Sequence, residues 1–207
     1  MRVSVFVNRY GKTLQSLNCD GRYGLALATL CLLLLLPSAG ADPWRLALRY
    51  ERAGLLQGEW WRLLTGHMVH LDLQHALLNA TGLVLLWALF AREMGAARWL
   101  LVAAVSIAAI DLGFWFLQPD LQWYVGASGL LHGLMAAGAI AMLRRGDRLG
   151  WAVVIPFGAK LCWEQLHGPL PFETGAVVVV SAHFYGALGG AITALLLPAP
   201  ARTAGPA

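Results

Sequence analysis

Residues 121–145 read LQWYVGASGLLHGLMAAGAIAMLRR, and the fold turns on what this stretch can be. No residue from Leu121 to Leu143 is charged, and the run stops at Arg144 and Arg145. An uncharged apolar run of that length can cross the ~30 Å hydrocarbon layer as one helix. The same punctuation recurs on both sides of it. Residues 23–41 lie uncharged between Arg22 and Asp42, and residues 73–91 between Asp72 and Arg92. Residues 99–119 carry one charge, Asp111; residues 149–163 carry only Lys160; residues 174–201 carry none. The sequence therefore predicts six membrane spans.

Composition agrees. Of 207 residues, 58% are apolar before glycine is counted and 13% are charged, against about 25% charged in soluble domains. A water-soluble domain of this size still needs a polar exterior, so soluble classes are excluded. The predicted class is all-α, a polytopic six-helix membrane bundle forming one domain over 1–207. Within it, 1–22 is expected as a cytoplasmic N-terminal segment and 42–66 as an outer loop lying in the interface. The net charge of +4 is spread along the chain, which argues against nucleic acid as a partner. Cys19, Cys31 and Cys162 show no metal-ligand spacing.

The first span has a rival reading. Its basic flank, apolar run and SAGA sequence also suit a cleaved signal peptide, although the preceding segment is long for one. With the N-terminus inside, ten of the 15 Lys and Arg fall on the inner side, as the positive-inside rule requires. Arg45, Arg49, Arg52 and Arg62 are the discordant outer group; the Trp44, Trp60 and Trp61 beside them suggest a segment lying in the interface.

Polar groups at membrane depth are costly and mark candidate sites. The second span opens HMVHLDLQHALLN, with His67, His70, His75 and Asn79; the fourth holds Ser128 and His132; the sixth holds Ser181 and His183. In the predicted topology these three spans all enter from the outer face. His183 falls about ten residues past Glu173, roughly 13–15 Å along a helix, at a depth similar to Ser128, His75 and Asn79. Serine needs a base to become a nucleophile, and histidine is the usual one. Gly126 and Gly129 leave Ser128 accessible at a helix start, where free N–H groups can meet an oxyanion. His75 and Asn79, four apart on one helix face, offer further donors. Small residues at Ala182, Gly186 and Gly190 allow close helix approach. No third carboxylate stands out, so a Ser128–His183 dyad is expected, with His132 and Gly126 in support.

Each feature has a plainer counterpart. GxSG alone is a common packing device, a lone histidine can satisfy a backbone carbonyl, and His75 with Asn79 can simply bond helices together. Lys160 and Glu164 read as an interfacial ion pair, and Asp111 as a bond inside the bundle. Glu93 reads as a partner of Arg62 or a nearby arginine. His67, His70 and His75 lack HExxH and a carboxylate ligand, so neither metal nor cofactor is expected.

Four motifs in order resemble the rhomboid intramembrane serine proteases: Trp61-Arg62, His75-x-x-x-Asn79, Gly126-x-Ser128-Gly129 and Ala182-His183-x-x-Gly186-x-x-x-Gly190. The resemblance implies a core catalytic region over 60–197, Ser128 as nucleophile, His183 as base, and His75 and Asn79 with the Ser128 N–H at the oxyanion. It implies a structural role for His70. GEWWRLLTGHMVHLDLQHALLN and WYVGASGLLHGL further resemble rhombosortases. That branch implies a bacterial inner-membrane enzyme with cytoplasmic termini and an outward-facing site, acting on single-span proteins with a C-terminal Gly-Gly tail. His132 stands where rhomboids typically carry tyrosine, and is expected to pack beneath the site or bond to His183. Lys160, Glu164 and the stretch HGPLPFETG would border substrate entry. The competing classes are a non-catalytic rhomboid-like client binder, which would lack the serine or histidine, and a histidine proton relay, which would spread polar groups through the membrane.

Overall fold

The computed structural model describes Asn18 and residues 21–38, 42–170 and 178–199. The chain is mostly helical. α1 spans Gly24–Leu35 and gives way to a short 3-10 turn at Pro37. Four short elements follow: α2 (Asp42–Leu48), β1 (Tyr50–Glu51), α3 (Arg52–Leu56) and α4 (Arg62–Thr65). Then come α5 (Leu73–Phe90), α6 (Ala96–Leu117), β2 (Trp123–Tyr124), α7 (Ser128–Arg144), α8 (Leu149–His167) and α9 (Val180–Leu196).

Local chemistry sets the helix bounds. Asp72 caps α5, its carboxylate accepting from the His75 N–H at 2.7 Å. Pro119 follows the end of α6, where a helix cannot readily continue. Arg52 donates to the Phe114 carbonyl at 2.7 Å and the Gln118 carbonyl at 3.2 Å, satisfying groups the end of α6 leaves open. Arg144 does the same for α9 through the carbonyls of Ala194 and Leu197.

α7 is the central helix. Its buried faces carry Gly129, Gly133, Ala136, Ala137 and Gly138, and α5, α6, α8 and α9 pack around it. The outer faces of the surrounding helices are apolar, with Leu78 65% and Phe116 70% exposed. A protein surface built of such residues suits lipid rather than water. By length and composition, α5 and α6 can cross a bilayer; α7 and α9 are apolar but shorter, at 17 residues each.

Two expectations change here. The charge-bounded runs overstate the helices, because residues 121–127 form β2 and a loop, and α9 starts at Val180 rather than near 174. His183 therefore sits in the first turn of α9, not ten residues along a helix. The segment 42–66 is also more built than a floating interfacial loop. β1 pairs antiparallel with β2, Tyr50 opposite Tyr124 and Glu51 opposite Trp123, a small sheet the all-α reading missed. Its arginines hold this segment together. Arg62 is buried and donates to the carbonyls of Leu46 and Arg49 at 2.8 and 2.9 Å, while Arg45 donates to the Leu71 carbonyl. Trp44, Trp60 and Trp61 are exposed along its surface.

Candidate active site

The site begins with a glycine. Gly126 adopts φ +124°, and a Cβ there would stand 2.9 Å from His75 Cε1. A side chain would be both strained and obstructed. The chain turns at this point and starts α7 on Ser128. His70 braces the turn: its Nε2 accepts the Ala127 N–H at 3.4 Å. Burial, with His75 next, pushes the His70 imidazole down to about 4, so it stays neutral as an acceptor must. Tyr124 closes the other side, donating its hydroxyl to the Gly126 carbonyl at 2.7 Å.

Backbone contact then brings His183 to Ser128. A Cβ on Gly186 would lie 2.0 Å from the Gly129 carbonyl oxygen, and one on Gly190 would lie 2.0 Å from that of Gly133. α7 and α9 thus touch main chain to main chain. In lipid, where apolar burial between helices supplies little drive, such contact is a principal source of association. The result is a hydrogen bond between Ser128 Oγ and His183 Nε2 at 2.9 Å.

His183 has a second partner. Its Nδ1 lies 3.0 Å from both carboxylate oxygens of Glu164 on α8, whose residue is only 1% exposed. The sequence reading saw no third carboxylate beside the pair; the fold sets Glu164 there. α8 turns Glu164 inward against α9, which a linear reading that placed it at an interfacial helix end could not show. The expected ion pair with Lys160 does form. Lys160 Nζ also lies 3.0 Å from His132 Nε2. His132 stacks flat on His183, with ring centroids 4.0 Å apart and planes within 8°. It thus packs against His183 as expected, but its Nδ1 bonds to the Ser128 carbonyl at 2.7 Å instead of to that histidine.

The other predicted residues divide. His75 presents its ring edge to Gly126, in the same cluster as Ser128 and His183. Asn79 is buried one turn further along α5, and its amide donates to the His75 carbonyl at 3.0 Å. The first ladder bond of α7 runs from the Leu131 N–H to the Ala127 carbonyl, so earlier N–H groups are not spent on the helix's own ladder. His70 and His75 meet edge to face with ring centroids 4.9 Å apart, while His67 Nε2 lies 3.2 Å from Asp111 Oδ1, the bundle bond foreseen for that aspartate. Glu93 pairs with Arg145 at 2.9 Å, while Arg62 pairs with Glu59 instead. Of the HGPLPFETG stretch, residues 171–175 lie outside the described residues.

The Rhomboid domain model matches residues 57–200. The chain belongs to the rhomboid family. It is also 30% identical over 169 residues to YdcA of Bacillus subtilis, a protein provisionally named a rhomboid protease; the match covers 82% of this chain and 83% of that one. Rhomboids are intramembrane serine proteases, and the matched region of this rhomboid contains each residue of the cluster just described. Glu164 and Lys160 are the functional candidates that sequence reasoning undervalued. Their signal was a carboxylate and an amine inside an otherwise apolar run, the kind of residue that membranes retain for a purpose.

Proposed function

We propose that this rhomboid hydrolyses peptide bonds in single-span membrane proteins through Ser128 and His183. The observation that carries the reading is the 2.9 Å Ser128 Oγ–His183 Nε2 contact, held by helices with no side-chain layer between them. Ser128 Oγ attacks the substrate carbonyl carbon while its proton passes to His183 Nε2. The tetrahedral oxyanion lies against the N-terminal N–H groups of α7 and the imidazole of His75. Collapse breaks the C–N bond, and the amine leaves with the proton from His183. A water then gives its proton to His183 and adds to the acyl-enzyme, releasing the new carboxyl end and restoring Ser128.

The finer reading is a rhombosortase-like enzyme. Its substrates would be proteins with a Gly-Gly tail, a following transmembrane helix and a basic end, cut in the outer half of a bacterial inner membrane. Six spans with both termini cytoplasmic fit this reading. The spare outer arginines, which spoke against that orientation, are bound to backbone carbonyls and neighbouring carboxylates, so they weigh less as topological signals.

The test is co-expression with Gly-Gly-tailed single-span proteins, read by intact mass. Wild type is expected to shorten the substrate at its small-residue motif and Ser128→Ala to leave it intact. Equal cleavage by both would end the reading.

A further inference from the structure

We propose that Glu164 is a positioning residue for His183, so that the reacting unit is a Ser128–His183–Glu164 triad, with Lys160 as the triad's built-in counter-ion. The inference rests on the hydrolase reading above and deepens it.

The partners assign the protons around a closed ring of five residues. The Ser128 carbonyl can only accept, so His132 Nδ1 carries a hydrogen and donates to it. The Lys160 ammonium can only donate, so His132 Nε2 bears a lone pair and His132 is neutral. The same ammonium donates to Glu164. The Glu164 carboxylate accepts from His183 Nδ1–H. His183 Nε2 is then left as the acceptor of the Ser128 hydroxyl proton. The arrangement serves every contact of the ring at 3.0 Å or less; only the 3.5 Å approach of Lys160 Nζ to His183 Nδ1 sets two donors side by side. The ring therefore selects the His183 tautomer that can act as base, the service an acidic third residue performs in a triad.

It also supplies charge where the reaction creates it. When His183 takes the Ser128 proton it becomes an imidazolium with a carboxylate 3.0 Å from Nδ1 on both oxygens. Glu164 stays ionised throughout, and no proton crosses from Nδ1. Burying such a carboxylate alone would be costly, and Lys160 offsets that cost from the next turn of the same helix.

A metal reading of this cluster is disfavoured by the lysine. His132, Glu164 and His183 offer ligand atoms all within 4.8 Å of one another. The Lys160 nitrogen stands among them, 3.0 Å from His132 Nε2 and 3.5 Å from His183 Nδ1. A tethered cation fills the place a metal ion would take. A helix brace alone would need only the Lys160–Glu164 pair; it would not need both carboxylate oxygens on the histidine that faces the serine.

The test is the rate at which a fluorophosphonate labels Ser128 in purified full-length protein, alongside thermal midpoints and steady-state cleavage. Glu164→Gln keeps the side-chain shape. It is expected to label on the order of 10²-fold more slowly or worse, to lose kcat with KM little changed, and to remain folded. The double variant Lys160→Met/Glu164→Gln leaves no unpaired charge and guards against misfolding of the single variant. The triad predicts that it labels as slowly as Glu164→Gln; a brace predicts wild-type labelling. Wild-type labelling by either folded variant overturns the triad and leaves the hydrolase reading standing. No labelling of the wild type, under conditions that label a known serine hydrolase, overturns both.

Discussion

His75 and Asn79 share a face of α5 yet commit their hydrogen-bonding groups differently. The Asn79 amide gives one N–H to the His75 carbonyl, which leaves a single N–H for an oxyanion. His75 already turns its ring edge toward the Gly126 turn. The two are therefore expected to contribute unequally. His75→Ala should lower kcat on the order of 10²–10³-fold, the cost typical of one lost oxyanion donor. Asn79→Ala should cost less than 10²-fold, with part of its effect in stability. Side-by-side kcat measurements check this, and a larger loss for Asn79→Ala would reverse the assignment. Spacing in the sequence could put both residues on one face, but not reveal that one of the two Asn79 amide donors is already engaged. The Gly126 turn was legible for a different reason: GxSG signals room around a serine whichever way the neighbouring helices lie.

At the level of elements, the distance from Ser128 to His183 is set by α7 and α9. Gly186 faces the Gly129 carbonyl so closely that an added methyl group must part the helices. Overpacking of that kind typically costs about 1–3 kcal/mol. A few tenths of an ångström at the glycine pair would also lengthen the Ser128–His183 bond. Gly186→Ala is expected to lower both thermal stability and activity, the latter more than 10-fold. Gly158→Ala on α8, where a Cβ meets nothing within 4 Å, serves as the control and should leave both near wild type. Equal behaviour of the two variants would show that the close approach does not set the site. The small-residue spacing of α9 was readable in advance. Its starting point was not, because the absence of charge marks where a helix can run rather than where it begins. The same limit hid β1 and β2, whose two-residue strands carry no periodic signal.

For the molecule as a whole, the end opposite the site carries its own titrating group. Glu93, between α5 and α6, is buried against Arg145 of α7's C-terminus. Burial outweighs the attraction of Arg145, with Asp147 adding repulsion, and pushes the Glu93 carboxyl up to about 7. The folded protein thus holds a proton that the unfolded chain releases nearer pH 4.5. The stability this lends is complete below pH 4.5 and is lost as pH rises toward 7, at no more than about 1.4 kcal/mol per pH unit. Thermal midpoints of wild type should therefore fall between pH 5 and 7.5 relative to those of Glu93→Gln. Parallel curves would contradict this. Glu93's tie to an arginine was legible in the sequence, but which arginine required the chain to be folded. Glu164's tie to Lys160 was legible as well, but its contact with His183, 19 residues away and on another helix, was not.

The ring through Ser128, His183, Glu164, Lys160 and His132 also bears on descent. A tyrosine at position 132, the residue typical of rhomboids, could stack on the base but would present no imidazole lone pair to Lys160. Glu164 would still answer the lysine's charge, whereas a glutamate without its lysine, or the lysine without its glutamate, would leave a charge in the membrane unanswered. Lys160 and Glu164 should therefore be gained and lost as one inherited unit: relatives that lack either should lack both, whichever residue stands at 132.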